Sequence, residues 1–343
     1  MQKARFYRIE EEKVRCLLCP RRCLLGDGQV GTCGAREAAG GELTTTNYGR
    51  LLAVNWDPIE KKPLYHYFPG SQILSIGTFG CNLLCSFCQN WALARGKPSQ
   101  VSSIVSPDQI LAMLEKEGGP DKVPGVAYTY NEPIIWYEFV HDTARLLHEY
   151  GYHNVLVTNG YIEQEPLQEL LPFIDAMNID VKAYSDSFYK EYCHGLKEPV
   201  IKTVEAAVKA CHVEITCLLI PTLNDNPAEQ EDLARWLGGI SHDLVLHYSR
   251  YFPQYKLDLP PTPPHIMKQA RETARKYLRY VYLGNIDLPG SSDTVCPYCG
   301  NLLVTRSAYR VKLIGLDGAN CNNCQNQISI VLSDPEKQPG ESG

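Results

Sequence analysis

Gly77-Thr78-Phe79-Gly80-Cys81-Asn82-Leu83-Leu84-Cys85-Ser86-Phe87-Cys88-Gln89-Asn90 follows directly on the apolar, strand-like run at 73–76. Its three cysteines, Cys81, Cys85 and Cys88, are spaced Cys-x3-Cys-x2-Cys. Three thiolates are one short of a closed tetrahedral site. They are the right number for an iron–sulfur cube that leaves one iron unligated, because clusters are normally held by four cysteines. A missing fourth protein ligand leaves that position to a small molecule. Glycines at 77 and 80 ease the tight backbone path such a loop needs. A structural zinc or a redox thiol cluster is the competing reading of the same residues.

Outward from this loop the chain alternates between strand and helix. Apolar runs lie at 73–76, 126–128, 155–157, 177–181, 213–220, 244–246 and 280–283. Between them stand helical stretches with ordinary punctuation. Ser106-Pro107-Asp108-Gln109 reads as an N-cap with Pro in the first turn and Gln closing a capping box, and Gly118-Gly119 end that helix. Further helices are expected over 135–150, 200–210, 228–237 and 266–278. About six β-α units predict an α/β fold: a parallel sheet curled into a full or partial (β/α)6 TIM-type barrel.

Ligands in such folds sit at the carboxyl ends of the strands. The strand exits here carry the cysteine loop, Thr129-Tyr130-Asn131-Glu132-Pro133, Thr158-Asn159-Gly160, Asp180 and Lys182, Pro221-Thr222-Leu223-Asn224-Asp225, then His247 and Arg250. Each exit is polar or ionisable, which a purely structural barrel does not require. Asp180 and Lys182, two apart on a strand, share a face. A buried ion pair bracing the barrel is the alternative account of them.

The 343 residues carry a formal net charge of −6 and no run of Lys or Arg beyond two or three, so nothing marks a nucleic-acid surface. No stretch approaches the ~20 apolar residues of a membrane span, and the charged start lacks a signal-peptide core. The 14 cysteines fall mostly in Cys-x2-Cys groupings, which without a secretion signal read as metal ligands in a reducing cytoplasm.

Four units are expected: 1–70, 71–288, 289–332 and a disordered tail at 333–343. The first contains Cys16, Cys19, Cys23 and Cys33 among glycines, a knot too poor in apolar residues to fold without metal. Structural zinc or an auxiliary iron–sulfur cluster fits it. Residues 47–54 read as a short edge strand. The Pro- and aromatic-rich segment after them either lines a site through residues 61–66 or plugs the barrel from below. In the third unit Cys296-Pro297-Tyr298-Cys299 and Cys321-Asn322-Asn323-Cys324 flank a hydrophobic hairpin, the signature of a zinc ribbon. Cys193, Cys211 and Cys217 are isolated, the last two read as core thiols, and among the histidines His66 and His247 stand at positions suited to a site.

Cys81, Cys85 and Cys88, with Phe87 before the third, resemble the signature of radical S-adenosylmethionine (SAM) enzymes. That resemblance implies a [4Fe-4S] cluster whose open iron binds SAM, an injected electron, and a 5′-deoxyadenosyl radical that abstracts hydrogen. An electron donor such as ferredoxin or flavodoxin is implied with it. Glu132 and Pro133 match the Gly-Gly-Glu-Pro of the superfamily, where the SAM amino group is met. Tyr130 and Asn131 stand in place of its glycines. Thr158-Asn159-Gly160 and Asn178-x-Asp180-x-Lys182 resemble motifs of pyruvate formate-lyase activating enzymes that hold the SAM ribose and carboxylate, partly through a monovalent cation.

The pattern as a whole is similar to the radical SAM enzymes of the AmmeMemoRadiSam system. The match lies in Cys16 to Cys23, Asp57 to His66, Pro69 to Ser71, Gly77 to Asn90, Thr129 to Pro133 and His247 to Pro253. Protein partners of that system are implied by the likeness. The expected function is hydrogen abstraction from a small molecule. A glycyl-radical-enzyme activase and a non-catalytic metal-binding interaction module are the alternatives.

Overall fold

Strands whose residues are buried on both faces cannot alternate polar with apolar, and the 125–128 stretch shows it: Gly125–Tyr128 is buried at every position. The computed structural model, which describes residues 2–101 and 103–332, builds one eight-stranded sheet from such segments. Its strands are β1 (Ala53–Pro58), β2 (Gln72–Gly77), β3 (Gly125–Tyr128), β4 (His153–Thr158), β5 (Ala176–Asp180), β6 (His212–Leu219), β7 (Val245–Arg250) and β8 (Tyr280–Gly284). They lie side by side in chain order. Strands β2 to β8 are parallel, and β1 runs antiparallel to β2 at one edge. Among the described residues β1 and β8 do not pair with each other, so the sheet is open. The tail expected at 333–343 lies outside the described residues.

Helices α1 (Pro107–Lys116), α2 (Tyr137–Glu149), α3 (Gln164–Leu170), α4 (Asp186–Tyr192), α5 (Lys197–Ala207), α6 (Pro227–Ile240) and α7 (Pro264–Ala274) connect the parallel strands. The capping box at Ser106 is formed as its residues require, with Oγ accepting from the Gln109 N–H and Gln109 returning a bond to the Ser106 N–H. Among the described residues no helix is long and apolar enough to cross a membrane.

The seven parallel strands fall on the seven apolar runs of the sequence, joined by six helical crossovers. The edge strand is Ala53–Pro58 instead of 47–54, because Arg50–Leu51 leaves the sheet to pair with Ser103–Ile104. Residues 61–66 divide between two roles: Lys62 reaches the Tyr130 ring at the exit of β3, and Tyr65 and His66 turn below the sheet onto Glu214. Ile59, Leu64 and Tyr67 pack on Ile73, Ala127, Val155 and Ala176, one residue from each of four successive strands. This is the plug.

The C-terminal residues complete that lower layer. Cys296, Leu303, Val304, Cys321, Ile328 and Ile330 pack on Val245, Tyr280 and Tyr282, which the parallel register places on one face of β7 and β8. Glu214, fully buried, ties plug to sheet. It accepts from the Tyr65 and His66 N–H groups at 3.0 and 2.7 Å and bonds the His212 and His247 rings at 3.0 and 2.6 Å. Burial opposes ionisation, yet the two imidazoles hold this carboxyl well below the usual range.

His66 is fully enclosed between the Ser329 carbonyl (2.6 Å) and the Tyr282 hydroxyl (2.7 Å), and burial pushes it down to about 4, so it is neutral. His66 and His247 are thus bracing groups of the lower layer. Glu214→Ala would strand two buried backbone N–H groups at about 1–3 kcal/mol each. The variant should lose about 3 kcal/mol or more of unfolding free energy, read by denaturant titration. An unchanged midpoint would contradict this role.

Candidate active site

The cysteine loop leaves β2 and is held from outside at nearly every turn. Asn131 clamps its start, the side-chain oxygen accepting from the Thr78 N–H and the amide donating to the Gly80 carbonyl, both at 3.0 Å. The Cys81 N–H donates to the Cys33 carbonyl at 3.2 Å. Leu84 and Ser86 donate to the carbonyls of Cys193 and Tyr192, at 3.0 Å each, beyond the end of β5. Gly80 is required: its φ is +98°, and a Cβ there would lie 2.4 Å from the Cys33 oxygen.

A strap over residues 251–262, leaving β7, closes on the same loop. Lys256 donates to the Ser86 carbonyl at 2.9 Å, and Tyr255 stacks on Trp91 with ring centroids 5.5 Å apart. Thr262 fixes the strap's base, accepting from the Tyr251 N–H and donating to the Leu219 carbonyl. Exits of β2, β5 and β7 are thereby tied together.

Tyr130, where the superfamily pattern carries glycine, adopts φ +71°. Such a conformation is costly for a bulky residue unless its surroundings impose it. Here they do. The Tyr130 hydroxyl donates to Asp57 Oδ2 at 2.5 Å and accepts from Asn55 Nδ2 at 3.0 Å. Its ring lies 4.7 Å from the Lys62 ammonium. Lys62 is buried and bonds Asp57 Oδ2 at 2.7 Å; burial brings it down to about 8. The left-handed turn before Glu132 is therefore kept without glycine.

Glu132 is 3% exposed and joins two strand ends. Its Oε1 accepts from Thr158 Oγ1 at 2.6 Å and from the Ile134 N–H at 3.0 Å, and its Oε2 from the Asn159 N–H at 2.8 Å. Burial nonetheless raises it to about 6. Asn159 Nδ2 donates to Asn82 Oδ1 at 3.0 Å and reaches Cys81 Sγ at 3.7 Å, so the third exit touches the cysteine loop directly. Lys182 pairs with Asp180 Oδ2, while Asp180 Oδ1 is buried without a partner.

Burial pushes the Cys81 and Cys88 thiols up. Cys85 is drawn down, first by the Cys193 thiol beside it and then, against burial, by the Lys182 ammonium. Sequence reading left Cys193 isolated. It is completely buried against the loop, and only the folding of the segment after α4 brings it there. Cys211 and Cys217 pack with the core, as expected.

Residues 75–237 match the family model of the radical SAM superfamily. An uncharacterized protein of Methanocaldococcus jannaschii is 40% identical over 340 residues, covering 97% of this chain and 100% of that one. The pyruvate formate-lyase-activating enzyme of Clostridium pasteurianum is 27% identical over 215 residues, covering 59% of this chain and 87% of its own. The crystal structure of a radical SAM methyltransferase from Sphaerobacter thermophilus has a TM-score of 0.48 at 18% identity, over 68% of this chain and 71% of that one.

This chain belongs to the radical SAM superfamily. It is an enzyme of that class, which sets aside a purely non-catalytic metal-binding module. Membership implies a [4Fe-4S] cluster and SAM. The residues present fit them: three thiols on one loop, a nearby ammonium, and an unpartnered buried carboxylate oxygen facing the same strand ends.

A second metal site stands far down the chain. The sulfurs of Cys296, Cys299, Cys321 and Cys324 all lie within 4.8 Å of one another. Cys296–Cys324 and Cys299–Cys321 approach to 3.6 and 3.7 Å. Side-chain amides of Asn301, Asn323 and Asn326 donate to three of these sulfurs at 3.7, 3.5 and 3.3 Å. The flanking hairpin is Leu302–Ser307 with Arg310–Leu313.

Because Gly80 is pinned against Cys33, Gly80→Ala should destabilise the fold by on the order of 1–3 kcal/mol. The reconstituted variant should also retain less iron. Parent-like melting and iron content together would refute the close approach.

Proposed function

We propose that this chain binds SAM at the strand ends around Cys81, Cys85 and Cys88 and uses the radical derived from it to take a hydrogen atom from a small molecule. The observation that carries this reading is the convergence of Glu132, Asn159 and Lys182 on the three-cysteine loop, since each lies against it or bears on its thiols. When bound, the cluster supplies the electron that splits SAM into methionine and the 5′-deoxyadenosyl radical.

The chain's own residues do the rest. Glu132 offers its carboxylate to the SAM ammonium, held in place by Thr158 and Asn159. Lys182 brings a cation towards the SAM carboxylate and hydroxyls, oriented by Asp180. The unpartnered Asp180 Oδ1 would be the oxygen that holds the monovalent cation implied by the resemblance. A low-potential donor such as ferredoxin or flavodoxin provides the reductant. At the C-terminal site zinc is our assignment. Sulfurs around one zinc stand roughly 3.8 Å apart, given Zn–S of about 2.3 Å in a tetrahedron, and the two close pairs match.

The strap over 251–262 favours a small substrate, because it seats on Ser86 and Trp91 beside the signature loop. Likeness to the Clostridium pasteurianum activating enzyme favours a second reading, a glycyl-radical activase with a protein partner. Partners from the AmmeMemoRadiSam system belong to the first. Reaction in cell extract with deuterium-labelled pools separates the two. Label passing from a small-molecule fraction into 5′-deoxyadenosine supports the first, and a glycine-centred radical on a protein supports the second.

With reductant and SAM alone, the anaerobically reconstituted protein should release methionine and 5′-deoxyadenosine slowly, and Cys85→Ala should release none. Glu132→Ala and Lys182→Ala should each weaken SAM binding by roughly tenfold or more, as expected for a charge-assisted contact of about 1.5–3 kcal/mol. Glu132 ionises as pH rises through about 6. SAM affinity should therefore increase from pH 5 to 7 and then level off, and Glu132→Gln should flatten that step. Two variants that bind SAM like the parent would remove the cofactor from these strand ends. Cys299→Ser in the full chain should lose one zinc and keep SAM cleavage, and loss of iron instead would change that site's metal.

A further inference from the structure

The chain carries three sets of cysteines, and they are not arranged alike. The C-terminal four have sulfurs within 4.8 Å of one another, and among the described residues no other set of three or more converges so. Cys81, Cys85 and Cys88, which the superfamily assigns to a cube, are spread more widely. A cube requires that, because each sulfur takes a different iron. Cys16, Cys19, Cys23 and Cys33 follow the second pattern. All four line one cavity of about 20 Å³, together with Arg21, Arg36 and Asn82.

Two of the residues lining that cavity, Arg21 and Arg36, carry guanidinium nitrogens left without a partner. Arg36 is 1% exposed, pairs with Glu138, and reaches Cys16 Sγ at 3.9 Å. Its Nε and the Nη2 of Arg21 are both buried without an acceptor. Four thiolates on a single zinc would be drawn together by it. Four thiolates on a cluster stay apart and present sulfide acceptors to surrounding N–H groups.

The same unit touches the signature loop through its ligands. The Cys33 carbonyl accepts the Cys81 N–H at 3.2 Å. From the sulfur of one cysteine to that of the other, the path runs through the two cysteine side chains, their backbones and one hydrogen bond. Arg21 Nε also donates to the Asn82 carbonyl at 2.8 Å.

We propose that Cys16, Cys19, Cys23 and Cys33 hold an iron–sulfur cluster, not zinc, and that this cluster is the electron entry to the signature loop. One electron from a low-potential one-electron carrier protein reduces it. The same electron then leaves across the Cys33–Cys81 contact and restores its oxidised form, with no proton or group transferred. The site stands on the N-terminal residues alone, whereas the relay rests on the radical SAM reading given above.

The test is made on the full chain. Anaerobically reconstituted Cys81→Ala/Cys85→Ala/Cys88→Ala protein should contain iron and acid-labile sulfide and give, on reduction, a spin signal that SAM does not alter. Zinc in two sites with no sulfide would overturn the assignment. Mössbauer spectra of the 57Fe-loaded parent provide the same answer without substitutions. Two clusters are expected, and one cluster beside two zinc ions refutes the proposal while leaving the superfamily reading intact. Absence of any SAM-responsive signal in a parent holding N-terminal iron would instead indict the SAM site proposed above.

For the relay, Cys19→Ser/Cys23→Ser, which leaves the Cys33–Cys81 contact in place, should still show the SAM-responsive signal with dithionite. Its reduction by reduced flavodoxin should slow by tenfold or more. An unchanged rate with flavodoxin would eliminate the relay.

Discussion

One hydrogen bond, from the Cys81 N–H to the Cys33 carbonyl, joins the signature loop to the N-terminal four-cysteine unit. It exists because Gly80 lets the backbones approach to a distance that no side chain permits. Around it the signature loop is pinned by Asn131 from β3 and by the Cys193 and Tyr192 carbonyls beyond β5. A loop with few contacts of its own is thus rigid by borrowing anchors from three strand exits. Rigidity matters where ligands must meet a cluster in fixed geometry.

The lower layer exists to free the upper one. Strand ends on the carboxyl side carry unsatisfied or charged groups, so the amino-side halves must supply the stability. Ile59, Leu64 and Tyr67 fill that space on one side and the C-terminal hairpin on the other. Glu214 couples them, with two backbone donors and two imidazoles on a single carboxylate. Arg306 adds bonds to the Tyr65 carbonyl and Thr294 Oγ1 at 2.7 and 2.8 Å. Buried polar groups are tolerable there because most are paired.

Tyr130 shows how one local rule is broken and compensated. Glycine would take φ +71° without cost, but a glycine would also lose the Asp57, Asn55 and Lys62 contacts. The Asp57–Lys61–Lys62 stretch, conspicuous in the sequence, therefore acts at a distance. It shapes the turn that delivers Glu132.

The primary sequence alone determined the identity of the signature loop, the alternation that makes a parallel sheet, and the two terminal four-cysteine sets, because spacing and periodicity are local properties. It also ranked Glu132, Thr158, Asn159, Asp180 and Lys182 by their place at strand exits, and the structure sets Glu132, Thr158 and Asn159 in one hydrogen-bonded group. Tertiary structure decided what lies far apart in the chain. Cys193 meets Cys85 across more than a hundred residues, which no spacing rule anticipates. Leu64 and its neighbours Ile59 and Tyr67 form the plug because β1 runs antiparallel and delivers the chain to the amino edge of β2. The two four-cysteine sets look equivalent as strings, and only packing tells a compact sulfur tetrahedron from sulfurs spread around a cavity. Sulfur-to-sulfur distance depends on how whole units close, and no short stretch of sequence encodes that.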